Sequence, residues 1–180
     1  VRRGCSTEED NALIDALQSS EKERAENVMI VDLVRNDLSR IAQKATVEVT
    51  ELCGIHSFQT VHQMVSTIEC TILEDKGVSD ILRATFPMGS MTGAPKISAM
   101  KHIDRIELEG RGIYSGSIGY ITPSGDFDFN VLIRSLFHNS KTEMLVANVG
   151  GAITSLSDAH EEYEECMLKA DAIVKAVSNK

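Results

Sequence analysis

The chain has 180 residues, of which 42% are hydrophobic and 25% are charged, and its formal net charge is -9. This composition is sufficient for one domain with a packed core. The acidic balance argues against nucleic acid or an anionic membrane as partner, because both require clustered basic residues. No apolar run reaches the ~18 residues of a membrane-spanning helix, and the N-terminus lacks the apolar core of a signal peptide.

The four cysteines, Cys5, Cys53, Cys70 and Cys166, are scattered along the chain. They form no CxxC pair and no zinc-like spacing with histidine, which predicts reduced thiols in a cytoplasmic protein. Cys53 and Cys70 lie among apolar residues, so we interpret both as small core residues rather than nucleophiles.

The chain opens with two serines that are each followed three residues later by glutamate, a signature of helix starts. Ser6 predicts the start of one helix and Ser20 the start of a second that runs through residues 25–42. We predict a break in the second helix near Asn36. Alternating and β-branched residues then predict strands over 47–51 and 60–72.

The remaining elements alternate between short helices and strands. A helix over 80–85, capped by Ser79, is predicted first, and Pro95 opens the next one. Strands over 112–121 and 126–137, joined by turn residues, form a predicted hairpin.

A further strand over 143–149 precedes a last helix that starts near Ser157 and Asp158, with an apolar stripe expected to face inward. Helices and mainly antiparallel strands in irregular order indicate an α+β fold, with antiparallel sheets flanked by helices.

Two helices each carry a pair of glutamates three residues apart. Glu23 and Glu26 form one pair, and Glu162 and Glu165 form the other. Residues at this spacing share one side of a helix, so two facing helices would offer four carboxylates to one Mg2+. Each pair taken singly is also typical of a solvated helix face. Lys169 lies on the same side of the last helix, where it would pair with these glutamates or meet a substrate anion.

Three other features are typical of an anion site. The Gly-rich loop over 86–96 would open backbone N–H groups toward a ligand, or would be an ordinary loop before a helix. Tyr120 and Arg134 would face each other across the hairpin and bind a carboxylate, unless they form an edge salt bridge. Gly150 and Gly151 allow backbone amides to approach a ligand, or form a tight turn.

His62 lies in a strand-like run, and two interpretations of it stay open. It is either a buried core histidine with satisfied nitrogens or an acid/base and hydrogen-bonding group that works near pH 7. Taken together, these residues offer cations and backbone amides that would bind the carboxylates of a ligand, and four carboxylates that would bind a metal. This combination fits a dianionic substrate that bridges Mg2+ and an arginine.

Seven motifs, in their order, resemble the chorismate-utilising enzymes, the family of anthranilate, aminodeoxychorismate, isochorismate and salicylate synthases. They are ERAENVMIVDLVRNDLSR, VHQMVSTI, FPMGSMTGAPK, GSIGY, DFNVLIRSL, GGAI and EEYEECMLKA. Within the family, RAENVMIVDL, GSMTGAPK and GSIGY look most like component I of the aminodeoxychorismate synthase branch.

The resemblance implies a role for each candidate residue. It implies that Glu23, Glu26, Glu162 and Glu165 surround Mg2+, which holds the ring carboxylate of chorismate, with Lys169 beside that carboxylate. It also implies a substrate pocket, in which His62 lies against the ring near the reacting edge and the enolpyruvyl carboxylate has its own receptors. The residues of that pocket are His62, Ser90, Thr92, Tyr120, Arg134, Gly150 and Gly151.

The implied activity replaces the C4 hydroxyl of chorismate by an amino group and gives 4-amino-4-deoxychorismate, a step toward para-aminobenzoate and folate. The ammonia would come from a glutamine amidotransferase partner. The alternatives are anthranilate synthase component I, which also releases pyruvate, and a non-catalytic chorismate-binding module. A generic Mg2+ phosphohydrolase is a weaker alternative.

The chain departs from the family pattern at two points. Ala152 stands where many members have glycine, which would introduce strain if that position needs a positive φ. The chain also looks like the C-terminal part, over residues 1–180, of a single catalytic domain with its upstream third missing. The lysine thought to attack ring C2 belongs to that upstream part, so we expect this piece alone to be inactive.

Overall fold

The computed structural model describes residues 1–155 and 157–178 of the chain, which forms two compact units. The first unit covers Val1–Leu108, and the second begins at Glu109. The prediction that residues 1–180 belong to one larger domain stays a prediction.

The first unit contains four helices, one antiparallel strand pair and a short 3-10 turn. They are α1 (Thr7–Ser19), α2 (Glu21–Ser39), β1 (Glu48–Ser57), β2 (His62–Glu69), α3 (Val78–Thr85), the 3-10 turn Gly89–Met91 and α4 (Lys96–Ile106). The described residues of the second unit form two antiparallel strand pairs and one long helix. They are β3 (Ser117–Ile121), β4 (Phe127–Val131), β5 (Leu136–Asn139), β6 (Met144–Ala147) and α5 (Ala159–Ser178). Helices with antiparallel pairs confirm the predicted α+β class.

Two of the helix starts follow the sequence signals, whereas one predicted cap and one predicted break do not. The hydroxyls of Ser6 and Ser20 accept backbone N–H bonds at 3.2 and 3.3 Å, as predicted for N-caps. The predicted break at Asn36 is wrong, because α2 continues to Ser39 and contains neither glycine nor proline. The predicted cap of α3 is also wrong, since Gly77 precedes the first turn and Ser79 lies within it.

The strand predicted over 126–137 is divided into β4 and β5. Arg134 lies between them with φ 50, a left-handed conformation that ends the extended run. β5 then pairs with β6, which occupies part of the predicted strand over 143–149. The predicted pairing of Tyr120 with Arg134 across the hairpin is wrong, because Asp128 is the residue opposite Tyr120.

Buried side chains are few and unevenly distributed. The buried apolar ones are Leu17, Val31, Ile41, Cys53 and Ala84, all in the first unit. Burial of Cys53 confirms its prediction as a core residue, and burial raises the pKa of the Cys70 thiol, which disfavours a nucleophilic role.

In the second unit, the buried side chain among the described residues is that of Glu162. The inward stripe predicted for α5 is wrong, since Tyr163, Met167 and Val174 are exposed. Isolated two-stranded sheets such as those of this unit bury little apolar surface. No helix in the described part of the chain is long and apolar enough to cross a membrane.

A polar network around the buried His62 joins the start of the chain to β2. His62 has no exposed surface, its Nε2 lies 2.9 Å from Asp10 Oδ1, and its Nδ1 lies 2.8 Å from Ser57 Oγ. A carboxylate only accepts, so Nε2 carries the hydrogen. Asp10 also accepts from Arg3 at 2.9 and 2.5 Å and from the Gly4 N–H at 2.8 Å. Hydrogen bonds from Arg3 and His62 hold the pKa of Asp10 well below its usual value.

This lowered pKa makes the stability of the first unit sensitive to acid. A carboxyl whose pKa falls on folding stabilises fully above its unfolded pKa of about 4, and loses that contribution as pH falls toward the folded value. We expect Asp10→Asn to remove part of the fall in the free energy of unfolding between pH 5 and the acid limit, as measured by urea denaturation followed by circular dichroism. Asp15→Asn, at an exposed position of the same helix, is the control. Identical pH slopes for the wild type and Asp10→Asn would contradict the assignment.

Candidate active site

The Gly150–Gly151 segment lies against α5 in the second unit. Lys169 Nζ donates to the Gly150 carbonyl at 3.1 Å and pairs with Glu165 Oε1 at 2.7 Å. Gly151 approaches Glu162. The structure therefore brings together five of the candidate residues predicted from the sequence. Of the two interpretations of Lys169, it shows the ion pair with a glutamate of the same helix, at i,i+4 spacing.

Both glycines are explained by close approach of the backbone to its neighbours. A Cβ at Gly150 would lie 3.0 Å from Tyr114 Oη, and a Cβ at Gly151 would lie 3.1 Å from Glu162 Oε2. Neither glycine has a positive φ, and neither does Ala152. The alanine at this position therefore introduces no left-handed strain.

The Glu162 side chain is hydrogen-bonded to Ser157, which the sequence predicted only as the start of the last helix. The Glu162 side chain is 5% exposed, and Ser157 Oγ donates to its Oε1 at 2.7 Å. The same hydroxyl accepts from the Thr154 N–H at 3.0 Å. A serine five residues before a glutamate is no regular helical spacing, so the sequence carries no clear signal for this contact.

Tyr120 and Arg134 are both exposed in the second unit. Tyr120 is 62% exposed on β3, and Arg134 occupies the left-handed region that disfavours L side chains. Such strain costs of order 1 kcal/mol and is concentrated at functional sites. Their roles as carboxylate receptors stay predictions.

In the first unit, Glu23 and Glu26 lie in the first two turns of α2, as predicted. Glu23 is exposed, whereas Oε1 of Glu26 is buried. Within each unit, the described residues bring no three His, Cys, Asp or Glu side chains together as a metal-binding group. Each unit thus offers one glutamate pair, and the Mg2+ site formed by both pairs stays a prediction.

Ser90 and Thr92 lie at the 3-10 turn that precedes α4. Ser90 is exposed, and the Thr92 hydroxyl donates to the Met88 carbonyl at 3.2 Å. The loop is fixed to α2 by Lys96, whose Nζ lies 2.5 Å from Oδ2 of the buried Asp37. Whether an anion binds this loop stays a prediction.

For His62, the geometry favours the first of the two interpretations, a buried histidine with satisfied nitrogens. Both ring nitrogens have partners, Asp10 and Ser57, and the side chain has no exposed surface. Asp10, which lies 52 residues away in sequence, was not predicted as a partner.

An open groove of about 520 Å³ lies along α2. Its apolar lining includes Ala25, Val28, Met29, Leu33 and Ala94. Ala94 belongs to the Gly-rich loop over 86–96, and the other lining residues belong to α2.

Residues 1–175 match the family model described as chorismate binding enzyme. A probable chloroplastic aminodeoxychorismate synthase of Oryza sativa subsp. japonica is 46% identical over 98% of this chain, which covers 20% of that protein. Aminodeoxychorismate synthase component 1 of Escherichia coli K12 is 42% identical over 93% of this chain, which covers 37% of it. The crystal structure of anthranilate synthase component I from Streptococcus pneumoniae TIGR4 matches 94% of this chain and 40% of its own, with TM-score 0.77 and 38% identity.

The chain therefore spans less than half the length of each of these proteins. The family model nevertheless covers nearly all of the chain, including the Gly150–Gly151 segment and the part of α5 that carries Glu162, Glu165 and Lys169. On this match, and on the motifs that run through the same span, the chain belongs to the chorismate binding enzyme family.

Proposed function

We propose that the protein containing this chain replaces the C4 hydroxyl of chorismate by an amino group, giving 4-amino-4-deoxychorismate. The observation that carries the proposal is the contact of the Gly150–Gly151 segment with Glu162 and Lys169 of α5, the latter paired with Glu165, in a chain of this family. The similarity to aminodeoxychorismate synthases of rice and Escherichia coli supports this product. A glutamine amidotransferase as ammonia source and a cytoplasmic location are parts of the same proposal.

The donor set fits Mg2+. Glu23, Glu26, Glu162 and Glu165 would hold it, since all four provide carboxylate oxygens, the hard ligands that Mg2+ prefers. Burial of Glu162 supports the fit, because a carboxylate withdrawn from water is stabilised by a nearby cation. When bound, Mg2+ would supply Lewis-acid stabilisation of negative charge on the ring carboxylate.

The protein's own residues would bind and orient the substrate. Arg134 would hold the enolpyruvyl carboxylate through its guanidinium fork, and the Tyr120 hydroxyl would add a hydrogen bond. Gly150 and Gly151 would present backbone amides to the same carboxylate. Lys169 ties this segment to α5, because its ammonium bonds the Gly150 carbonyl.

Three further residues belong to the proposed pocket. Ser90 and Thr92 would line it, and His62, which has no exposed surface, would lie behind the side chains that face the ring. Because Asp10 and Ser57 occupy both nitrogens of His62, we propose that this histidine shapes the site rather than transfers a proton.

Anthranilate synthase component I is the second candidate function, and the similarity to the Streptococcus pneumoniae structure favours it. To separate the two, the full-length gene product is incubated with chorismate, Mg2+ and ammonium, and the products are identified by mass spectrometry. Aminodeoxychorismate supports the proposal, whereas anthranilate with pyruvate supports the second candidate. Tight chorismate binding without turnover would indicate a non-catalytic binding module.

Gly151→Ala is expected to weaken Mg2+ binding without loss of stability. The added Cβ would lie 3.1 Å from Glu162 Oε2 and would displace that oxygen, whereas the φ of Gly151 is not positive, so alanine fits the backbone. Isothermal titration with Mg2+ and thermal unfolding measure the two effects. Gly110→Ala is the control, because nothing lies within 4 Å of its added Cβ. A Gly151→Ala protein with wild-type Mg2+ affinity would contradict this placement of Glu162.

A further inference from the structure

We propose that Ser157 is a positioning residue for the Glu162 carboxylate. The inference rests on the proposed function, in which Glu162 is a Mg2+ ligand. Ser157 Oγ donates to Glu162 Oε1 at 2.7 Å, and that carboxylate is 5% exposed. A short hydrogen bond from a neutral hydroxyl to a buried carboxylate stabilises the charged form and fixes the orientation of the side chain.

The direction of this hydrogen bond follows from the other contacts of the hydroxyl. Ser157 Oγ accepts from the Thr154 N–H at 3.0 Å, and a serine hydroxyl has one hydrogen to donate. Its contacts with Thr154 Oγ1 and the Ala152 carbonyl are longer, 3.4 and 3.5 Å, so Glu162 is the best acceptor. Ser157 thus directs its one hydroxyl hydrogen at the Glu162 carboxylate.

The two oxygens of Glu162 consequently have different surroundings. Oε1 is held by Ser157, whereas Oε2 lies beside Gly151, where any larger residue would place a Cβ at 3.1 Å. A glutamate has three rotatable side-chain bonds, and losing that freedom before the cation arrives reduces the entropic cost of metal binding. In this arrangement Ser157 fixes Oε1, and the absence of a side chain at Gly151 avoids a close contact with Oε2.

Ser157 is distinct from the residue that caps α5. The Asp158 carboxylate accepts the N–H groups of His160 and Glu161 at 2.9 and 3.1 Å, which is the N-terminal capping function. Among the described residues, the N–H group that the Ser157 hydroxyl accepts is that of Thr154, which precedes the first turn of α5. Substitutions at the two neighbouring positions therefore separate helix capping from carboxylate positioning.

The test is isothermal titration of the full-length gene product with Mg2+, with and without chorismate and in the absence of ammonium. We expect Ser157→Ala to weaken Mg2+ binding about 10- to 100-fold, the usual effect of removing a hydrogen bond to a metal ligand. Ser157→Thr keeps the hydroxyl and should retain the affinity. Asp158→Ala should lower the thermal unfolding midpoint but leave Mg2+ binding unchanged.

Each other outcome overturns the proposal in a recognisable way. Wild-type affinity in Ser157→Ala, or equal losses in Ser157→Ala and Asp158→Ala, refutes the positioning role and leaves the proposed metal site standing. A wild-type protein that binds no Mg2+ under either condition refutes the metal site and the positioning role together.

Discussion

Asp37→Ala is expected to lower the free energy of unfolding by about 3–5 kcal/mol, because it leaves a nearly buried ammonium without its counter-charge. Lys96 Nζ lies 2.5 Å from Asp37 Oδ2, and the two side chains are 12% and 5% exposed. The pair joins the first residue of α4 to the last turn of α2. Its loss would also release the loop that carries Ser90 and Thr92.

Urea denaturation followed by circular dichroism measures this effect. Asp32→Ala on the same helix is the matched control, since its partner Arg35 lies 3.0 Å away and the two side chains are 66% and 52% exposed. An exposed pair of this kind contributes less than about 1 kcal/mol. Asp37→Leu combined with Lys96→Met should recover most of the loss, because no buried charge remains. Similar losses in Asp37→Ala and Asp32→Ala would contradict the assignment.

Local chemistry explains which parts of the fold could be predicted from the sequence. Ser6 and Ser20 cap their helices through N–H groups three residues away, so the sequence contains the whole interaction. The break expected at Asn36 does not occur, because burial of Val31 and Asp37 on the same helix outweighs the weak helix propensity of asparagine. The predicted strand is divided at Arg134 because this residue has a positive φ, and an arginine in a sequence gives no indication of that conformation.

The candidate site shows the same limit. Two adjacent glycines after a strand predicted a close approach, but the structure was needed to identify Tyr114 and Glu162 as the groups approached. Asp10 contacts His62, which lies 52 residues away in sequence, and no local sequence pattern predicts a contact at that separation. The resemblance to a family supplied the roles of several residues. Because the structure describes each unit by itself, roles that need residues of both units stay proposals.

Glu162→Gln is expected to reduce Mg2+ affinity by more than about 100-fold, beyond the effect of removing a hydrogen bond to a metal ligand. The substitution keeps the size of the side chain and removes the negative charge, which Mg2+ at the proposed site would bind. Turnover of chorismate by the full-length gene product should fall with metal occupancy. Isothermal titration and product formation at increasing Mg2+ concentrations measure both.

Stability should respond in the opposite direction, and this distinguishes a functional carboxylate from a structural one. Glu162 is 5% exposed, so its charge is withdrawn from water at a free-energy cost that a neutral amide avoids in part. Glutamine can still accept from Ser157, so we expect an unchanged or raised unfolding midpoint in the absence of Mg2+. Glu164→Gln, at an exposed position of the same helix, should alter neither property. A Glu162→Gln protein that unfolds more easily without Mg2+ and still binds Mg2+ normally would mean that the Glu162 carboxylate stabilises the fold and does not bind the metal.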